Sequence, residues 1–182
     1  VDVIRKNGFI EEVVAPNLNL ARQETKGLEF GMGYTMRLGA LMIRPQIDHS
    51  HLLTSQEEVF PGLGFRNKLD EAGRPEWRNT SSLSFGLFNH GLRVMARTIA
   101  GQYQIAHLSN PNDMRRIPTY TEYDMHYDYA QLFGGQLSVG VKNLFGSNRP
   151  IDNSAGFQNR FNPQLYDQIG RLYYMGYQYS FL

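Results

Sequence analysis

Apolar and polar side chains alternate with a period of two along most of this chain, in blocks of about 8 to 12 residues, which restricts it to antiparallel sheet. From Leu28 the even positions are Leu28, Phe30, Met32, Tyr34 and Met36, with Glu29, Gly31, Gly33 and Thr35 between them. After a short turn at 37–39, Leu41, Ile43, Pro45 and Ile47 alternate with Ala40, Met42, Arg44, Gln46 and Asp48. Trp77, Asn79, Ser81, Leu83, Phe85 and Leu87 then oppose Thr80, Ser82, Ser84, Gly86 and Phe88. Past a tight turn at 89–91, Leu92, Val94, Ala96, Thr98 and Ala100 oppose Arg93, Met95, Arg97 and Ile99. The cleanest block sets Tyr123, Met125, Tyr127 and Tyr129 against Glu122, Asp124, His126 and Asp128. Gly134 and Gly135 predict a further tight turn into Leu137, Val139 and Val141, opposed by Gln136, Ser138, Gly140 and Lys142. The last block has Tyr173, Met175, Tyr177, Tyr179 and Phe181 on one face, and Tyr174, Gly176, Gln178 and Ser180 on the other.

Seven strands result, three hairpins plus one, with minimal turns at one end and long loops at about 56–75, 106–117 and 148–168 at the other. That asymmetry predicts an all-β fold, an antiparallel transmembrane β-barrel segment. A strand of about 10 residues rises about 33 Å, and tilted near 45° it covers roughly 24 Å of membrane normal, matching the apolar band of such barrels. Backbone groups in hydrocarbon must all be paired, so the sheet must close, and bacterial barrels close with even strand numbers from about eight upward. An odd set leads to the expectation that the missing strands lie before Val1 or on another chain. Val1 to Val14 lack the order of a secretory signal and begin without Met, so the chain is expected to start after processing or inside a longer protein.

Composition closes other routes. With 18 basic against 17 acidic side chains there is no basic footprint for nucleic acid. No apolar run is long enough for a membrane helix. The absence of cysteine removes thiolate metal sites, disulfides and a thiol nucleophile. The Gly62, Leu63, Gly64 stretch lacks the strand-loop-helix setting of a phosphate cradle, and no nucleophile elbow is present.

The remaining candidates read as parts of a barrel. Arg93, Arg97, Glu122, Asp124, His126 and Asp128 fall on polar faces, predicted to point into the lumen, with Arg93 and Arg97 pairing across the wall with Glu122 or Asp124. Trp77, Tyr34, Tyr123, Tyr127, Tyr129, Tyr173, Tyr177 and Tyr179 are predicted to form an interfacial girdle, with sugar stacking as the other use of such rings. His49 and His51 share a face and have the spacing to chelate a metal, but no third ligand is placed for it, so rim polarity is the reading. Arg171 either binds a ligand or locks a loop. Pro45 lacks a ladder donor and predicts a bulge or a rim position.

Val141, Lys142, Asn143, Leu144, Phe145 and Gly146, followed by Arg149, Pro150, Ile151 and Asp152, resemble the end of the penultimate strand in TonB-dependent outer-membrane receptors. Tyr166, Asp167, Gln168, Ile169, Gly170, Arg171, Leu172, Tyr173 and Tyr174 resemble that family's lead into its final strand. Upstream, Asn19, Glu24, Thr25, Gly27, Leu28 and Glu29, and later Ile117, Pro118, Thr119 and Tyr120, look like other parts of the same barrel. The resemblance spans almost the whole chain and implies the last seven strands of a barrel of about 22 strands with a plugged lumen. Residues 1–16 would belong to the preceding outer loop or the top of its strand, and Phe181 would be the terminal aromatic of the assembly signal.

What the resemblance implies is a segment of an active-transport receptor in the outer membrane of a Gram-negative bacterium. It would take up a bulky nutrient of the metal-siderophore or oligosaccharide class, without covalent chemistry and without a cofactor. The implied partners are outer-membrane lipid, the remaining barrel strands and plug of the same receptor or another chain, TonB through that plug, and the barrel-assembly machinery. The alternatives are a soluble carbohydrate-binding β-sandwich, whose greasy faces would meet in a core, and a passive barrel assembled from several such chains.

Overall fold

The computed structural model describes residues 2–14, 22–104, 115–153 and 160–181. Those residues are all-β and contain no helix. The strands are β1 (Asp2–Lys6), β2 (Phe9–Val14), β3 (Arg22–Gly33), β4 (Met36–Leu38), β5 (Leu41–Glu58), β6 (Arg66–Asn67), β7 (Trp77–Leu87), β8 (His90–Ile99), β9 (Gln102–Tyr103), β10 (Arg116–Ile117), β11 (Tyr120–Leu132), β12 (Gly135–Lys142) and β13 (Leu172–Gln178). One antiparallel sheet runs β13-β12-β11-β8-β7-β5-β3, with β4 and β6 added along β5. These are the strands the alternation predicts, in chain order. The sheet is open: β3 and β13 are its edges and do not pair with each other. β1 and β2 form a separate hairpin, and β9 pairs with β10.

Two local expectations are corrected. The stretch beginning at Gln56 reads as loop, yet β5 continues to Glu58 because β3 begins early, at Arg22, and runs beside it. The polar residues there remain in register, Arg22 opposite Glu58 and Glu24 opposite Gln56. Pro45 sits at neither a bulge nor a rim. It lies mid-strand opposite Leu83, and its carbonyl accepts from the Tyr34 N–H at 3.1 Å. It has no N–H to return, and this is where the neighbouring strand breaks between β3 and β4. The bulge lies instead at Lys26/Gly27, across from Leu53.

Register makes the two faces continuous across strands. Ile43, Phe85, Leu92, Tyr127, Val139 and Met175 form one cross-strand row, and Pro45, Leu83, Val94, Met125, Val141 and Tyr173 the next. Nothing in the described residues packs on this apolar face: Phe30, Met32 and Leu83 stay exposed, and Met175 is 78% exposed. The buried core lies elsewhere, at the loop end, where Tyr120, Phe161 and Tyr166 cluster with Ile99 and Leu165. Tyr120 and Tyr166 meet edge to face at 5.4 Å.

Candidate functional site

The polar face carries the first group of candidates. Register places Arg97 opposite Glu122, and its guanidinium pairs with that carboxylate and, at 3.0 Å, with Asp124. Glu122 is 6% exposed and also accepts from the Tyr120 hydroxyl at 2.8 Å. Arg93 departs from expectation. It stands opposite His126 rather than an acid, and its Nε donates to Ser84 Oγ at 3.2 Å. Asp128 accepts from Ser138 at 2.6 Å and Gln136 at 3.2 Å, and lies 2.9 Å from His126 Nε2. His126 Nδ1 is in turn hydrogen-bonded to the Tyr174 hydroxyl at 2.8 Å. The predicted stripe is thus a hydrogen-bonded polar network in which Glu122 and Asp124 share Arg97 and Asp128 is held by Ser138, Gln136 and His126.

The apolar face carries the second. Towards the loops, His49 stacks on Phe30 at 5.1 Å and on Trp77 at 6.0 Å, with His51 6.1 Å away. The histidine pair is therefore part of an aromatic row, and among the described residues no cluster of three or more metal-ligating side chains exists. Tyr123 joins at that level through Phe145, edge to face at 5.2 Å. Towards the tight turns, Tyr127 is hydrogen-bonded to His90 Nδ1 at 2.7 Å, and Tyr177 donates to the Leu132 carbonyl at 2.9 Å. Tyr179 meets Phe181 edge to face at 4.8 Å. Tyr34 is exposed at the β3/β4 break, and Tyr129 lies 4.8 Å from the His90 ring. Between these ends the rows are mixed: Ile43, Val139 and Met175 share a row with Phe85 and Tyr127, and Leu83, Val94 and Val141 share the next with Tyr173. Reasoning from the alternation places Phe30 on the apolar face without singling it out as a stacking ring, and it misses His90 and Phe145, which stand at or beyond a strand end.

The loop end is the third. Glu57, Lys68, Glu71, Arg66 and Arg74 form a chain of ion pairs: Glu57–Lys68 at 3.2 Å, Lys68–Glu71 at 2.9 Å, Arg66–Glu71 at 2.9 Å and Arg74–Glu57 at 3.0 Å. The glycines of the 62–64 stretch do cradle an anion, but it is the chain's own Glu58, which accepts from the N–H groups of Gly62 and Gly64 at 2.8 and 3.3 Å. Gln102, 1% exposed, joins two loops by accepting from Gly73 N–H at 2.7 Å and donating to the Tyr166 hydroxyl at 3.3 Å. Burial, and then the Asp152 charge, push the Tyr166 hydroxyl up to about 12. Burial and then Glu76 raise the Asp70 carboxyl, while Arg116 opposes them. Parts of the predicted loops, residues 105–114 and 154–159, and Leu182 lie outside the described residues.

Arg171 lies at this end beside Gly146, on the margin of a cavity of about 400 Å³ that Arg149 and Arg160 also line. Compared with protein families, curated proteins and solved structures, the chain matches none. The arrangement itself therefore carries the functional reading: a sheet with one uncovered apolar face of mixed aliphatic and aromatic side chains, one hydrogen-bonded polar face, and the described loop segments at a single end.

Proposed function

We propose that this chain is a wall segment of a transmembrane β-barrel, the C-terminal portion of a TonB-dependent outer-membrane transporter that takes up a bulky nutrient. The observation that carries the membrane reading is the uncovered apolar face, a mixture of aliphatic and aromatic side chains with rings at both the loop and the turn ends, which is a surface a bilayer accepts. In water such a face would drive aggregation. The polar face would line the lumen, where Arg97 paired with Glu122 and Asp124, and Asp128 held by Ser138, keep the wall polar and wet. The transporter class is supported by the residue pattern from Val141 to Gly146 and from Tyr166 to Tyr174. On this reading the loop end captures the ligand, the edges β3 and β13 pair with further strands, and plug and TonB act outside this segment. A carbohydrate-binding sandwich would need a second layer over the apolar face, and the described residues supply none.

Trp77 is the sole tryptophan, and so a clean reporter. The chain is reconstituted into phosphatidylcholine vesicles whose acyl chains are brominated near the headgroup. Strong quenching of Trp77 emission is expected, and weaker quenching with bromines near the bilayer centre. A monodisperse, folded chain in detergent-free buffer whose Trp77 is insensitive to brominated lipid would refute the reading.

A further inference from the structure

We propose that the cavity between the β12–β13 connection and the start of β13 binds a small oxyanion, a carboxylate- or phosphate-bearing solute, through Arg149, Arg160 and Arg171. Three arginines line this cavity of about 400 Å³ and, among the described residues, no acidic side chain does. Like charges gathered around one cavity repel, and an anion between them turns that cost into attraction. Four other arginines are neutralised locally: Arg22 by Glu58, Arg66 by Glu71, Arg74 by Glu57, Arg97 by Glu122 and Asp124. The arginines of this cavity have no carboxylate partner among the described residues.

Their donors are also largely unspent. A guanidinium offers five N–H groups in a fork that matches a carboxylate or phosphate edge. Arg149 gives Nη2 to the Gln168 carbonyl at 2.7 Å and lies over the Phe161 ring at 4.6 Å, which holds its plane while leaving other donors open. Arg160 gives Nε to Asn153 Oδ1 at 3.1 Å. Arg171 makes no hydrogen bond or ion pair among the described residues. Position 146 makes room for it: Gly146 has φ +66°, and a Cβ there would stand 2.7 Å from Arg171 Nη2. Asp152, close by in sequence, is 1% exposed and does not line the cavity. The site does not depend on the uptake reading, because its failure would leave the Trp77 result unchanged and the reverse also holds.

The full chain in nonionic detergent is titrated calorimetrically with citrate and with inorganic phosphate at low ionic strength. A parallel titration uses nanodiscs of phosphatidylcholine alone and of phosphatidylcholine with phosphatidylglycerol. Saturable binding is expected for at least one probe, weakened about tenfold or more by R171Q and lost in the R149Q/R160Q/R171Q variant, because a point charge at Lys replaces only part of a guanidinium fork and Gln none of it. R171K is expected to retain partial binding, and R37Q, on β4, full binding. Binding lost only in the phosphatidylglycerol discs would assign the same oxyanion chemistry to a lipid headgroup. Circular dichroism and Trp77 emission establish that each variant is folded. The proposal is overturned if neither probe binds the unaltered chain in any setting, or if the folded triple variant or R171Q binds as the unaltered chain does.

Discussion

The ring of Tyr174 occupies the space over Gly140, its direct partner across β12 and β13, and reaches on to His126 on β11. A methyl group at Gly140 would overlap Cζ and Oη of that ring. The glycine is thus the seat on which one aromatic side chain ties three strands together. A second seat recurs at the turn, where a Cβ at Gly135 would come within 2.6 Å of the Tyr177 ring while the Tyr177 hydroxyl binds Leu132.

Gly140→Val should push Tyr174 off its seat and break the contact with His126. The expected destabilisation is about 1–3 kcal/mol, the usual cost of overpacking a filled site. A denaturant titration followed by circular dichroism reads it. Gly176→Val on β13, where an added Cβ would meet nothing within 4 Å, should cost much less.

Arg97→Gln should strand Glu122 and Asp124 on the polar face without a cation. The loss expected is about 1–3 kcal/mol for the unsatisfied carboxylates. Adding Glu122→Gln and Asp124→Asn should recover most of it. Unfolding midpoints of the single and triple variants test this. Equal losses in both would show that the guanidinium acts through packing alone.

Asp70 has φ +67°, and its Oδ1 accepts no hydrogen bond among the described residues. Its carboxyl is raised by burial and by Glu76. An acid whose folded-state value lies above its unfolded value destabilises as pH rises. Below the ordinary aspartate value, about 3.9, both states hold the proton and there is no penalty. Between the two values the unfolded chain ionises first and stability falls, and above the raised value the penalty is complete. Asp70→Asn keeps a residue that tolerates left-handed backbone and removes the charge. It should raise the thermal midpoint at pH 7, with the gain fading towards pH 3. A gain of the same size at both pH values would contradict the account.

Leu83 lies between Pro45 and Val94 on the apolar face, whereas its neighbour Ser82 stands between Gln46 and Met95 on the polar one. In lipid vesicles Leu83→Arg should cost about 2–4 kcal/mol, the penalty for a cation at the midplane of a barrel wall. Ser82→Arg should cost far less. Similar small effects for both would indicate that neither face meets hydrocarbon. Urea unfolding in vesicles, followed by Trp77 emission, supplies the comparison.

Much of this architecture was legible in the residues. Alternation with a period of two is a local property, so it marks the strands, assigns Leu83 and Glu122 to opposite faces, and places the turns before Leu41, Leu92 and Leu137. The same logic misjudges residues 56–58. Their polarity reads as loop, and only the antiparallel pairing with Arg22 to Glu24 makes them strand.

Cross-strand partnership was decided in three dimensions. Arg93 and Arg97 are equivalent in the alternation, yet register gives Arg97 the acids and Arg93 a serine. His49 and His51 satisfy the spacing of a metal pair, and became members of an aromatic row because Phe30 and Trp77 arrive beside them. Pro45 coincides with the gap between β3 and β4 because it accepts from Tyr34 N–H but has no N–H to return, so that ladder bond is left unmade. The arginines at 149, 160 and 171 lie far enough apart in the chain that only the folded connection brings them around one cavity. Which side chains share a face depends on each strand's own geometry, which is encoded locally. Which charges and rings meet depends on the sliding of one strand against another, and that offset is set by the sum of contacts along the whole sheet.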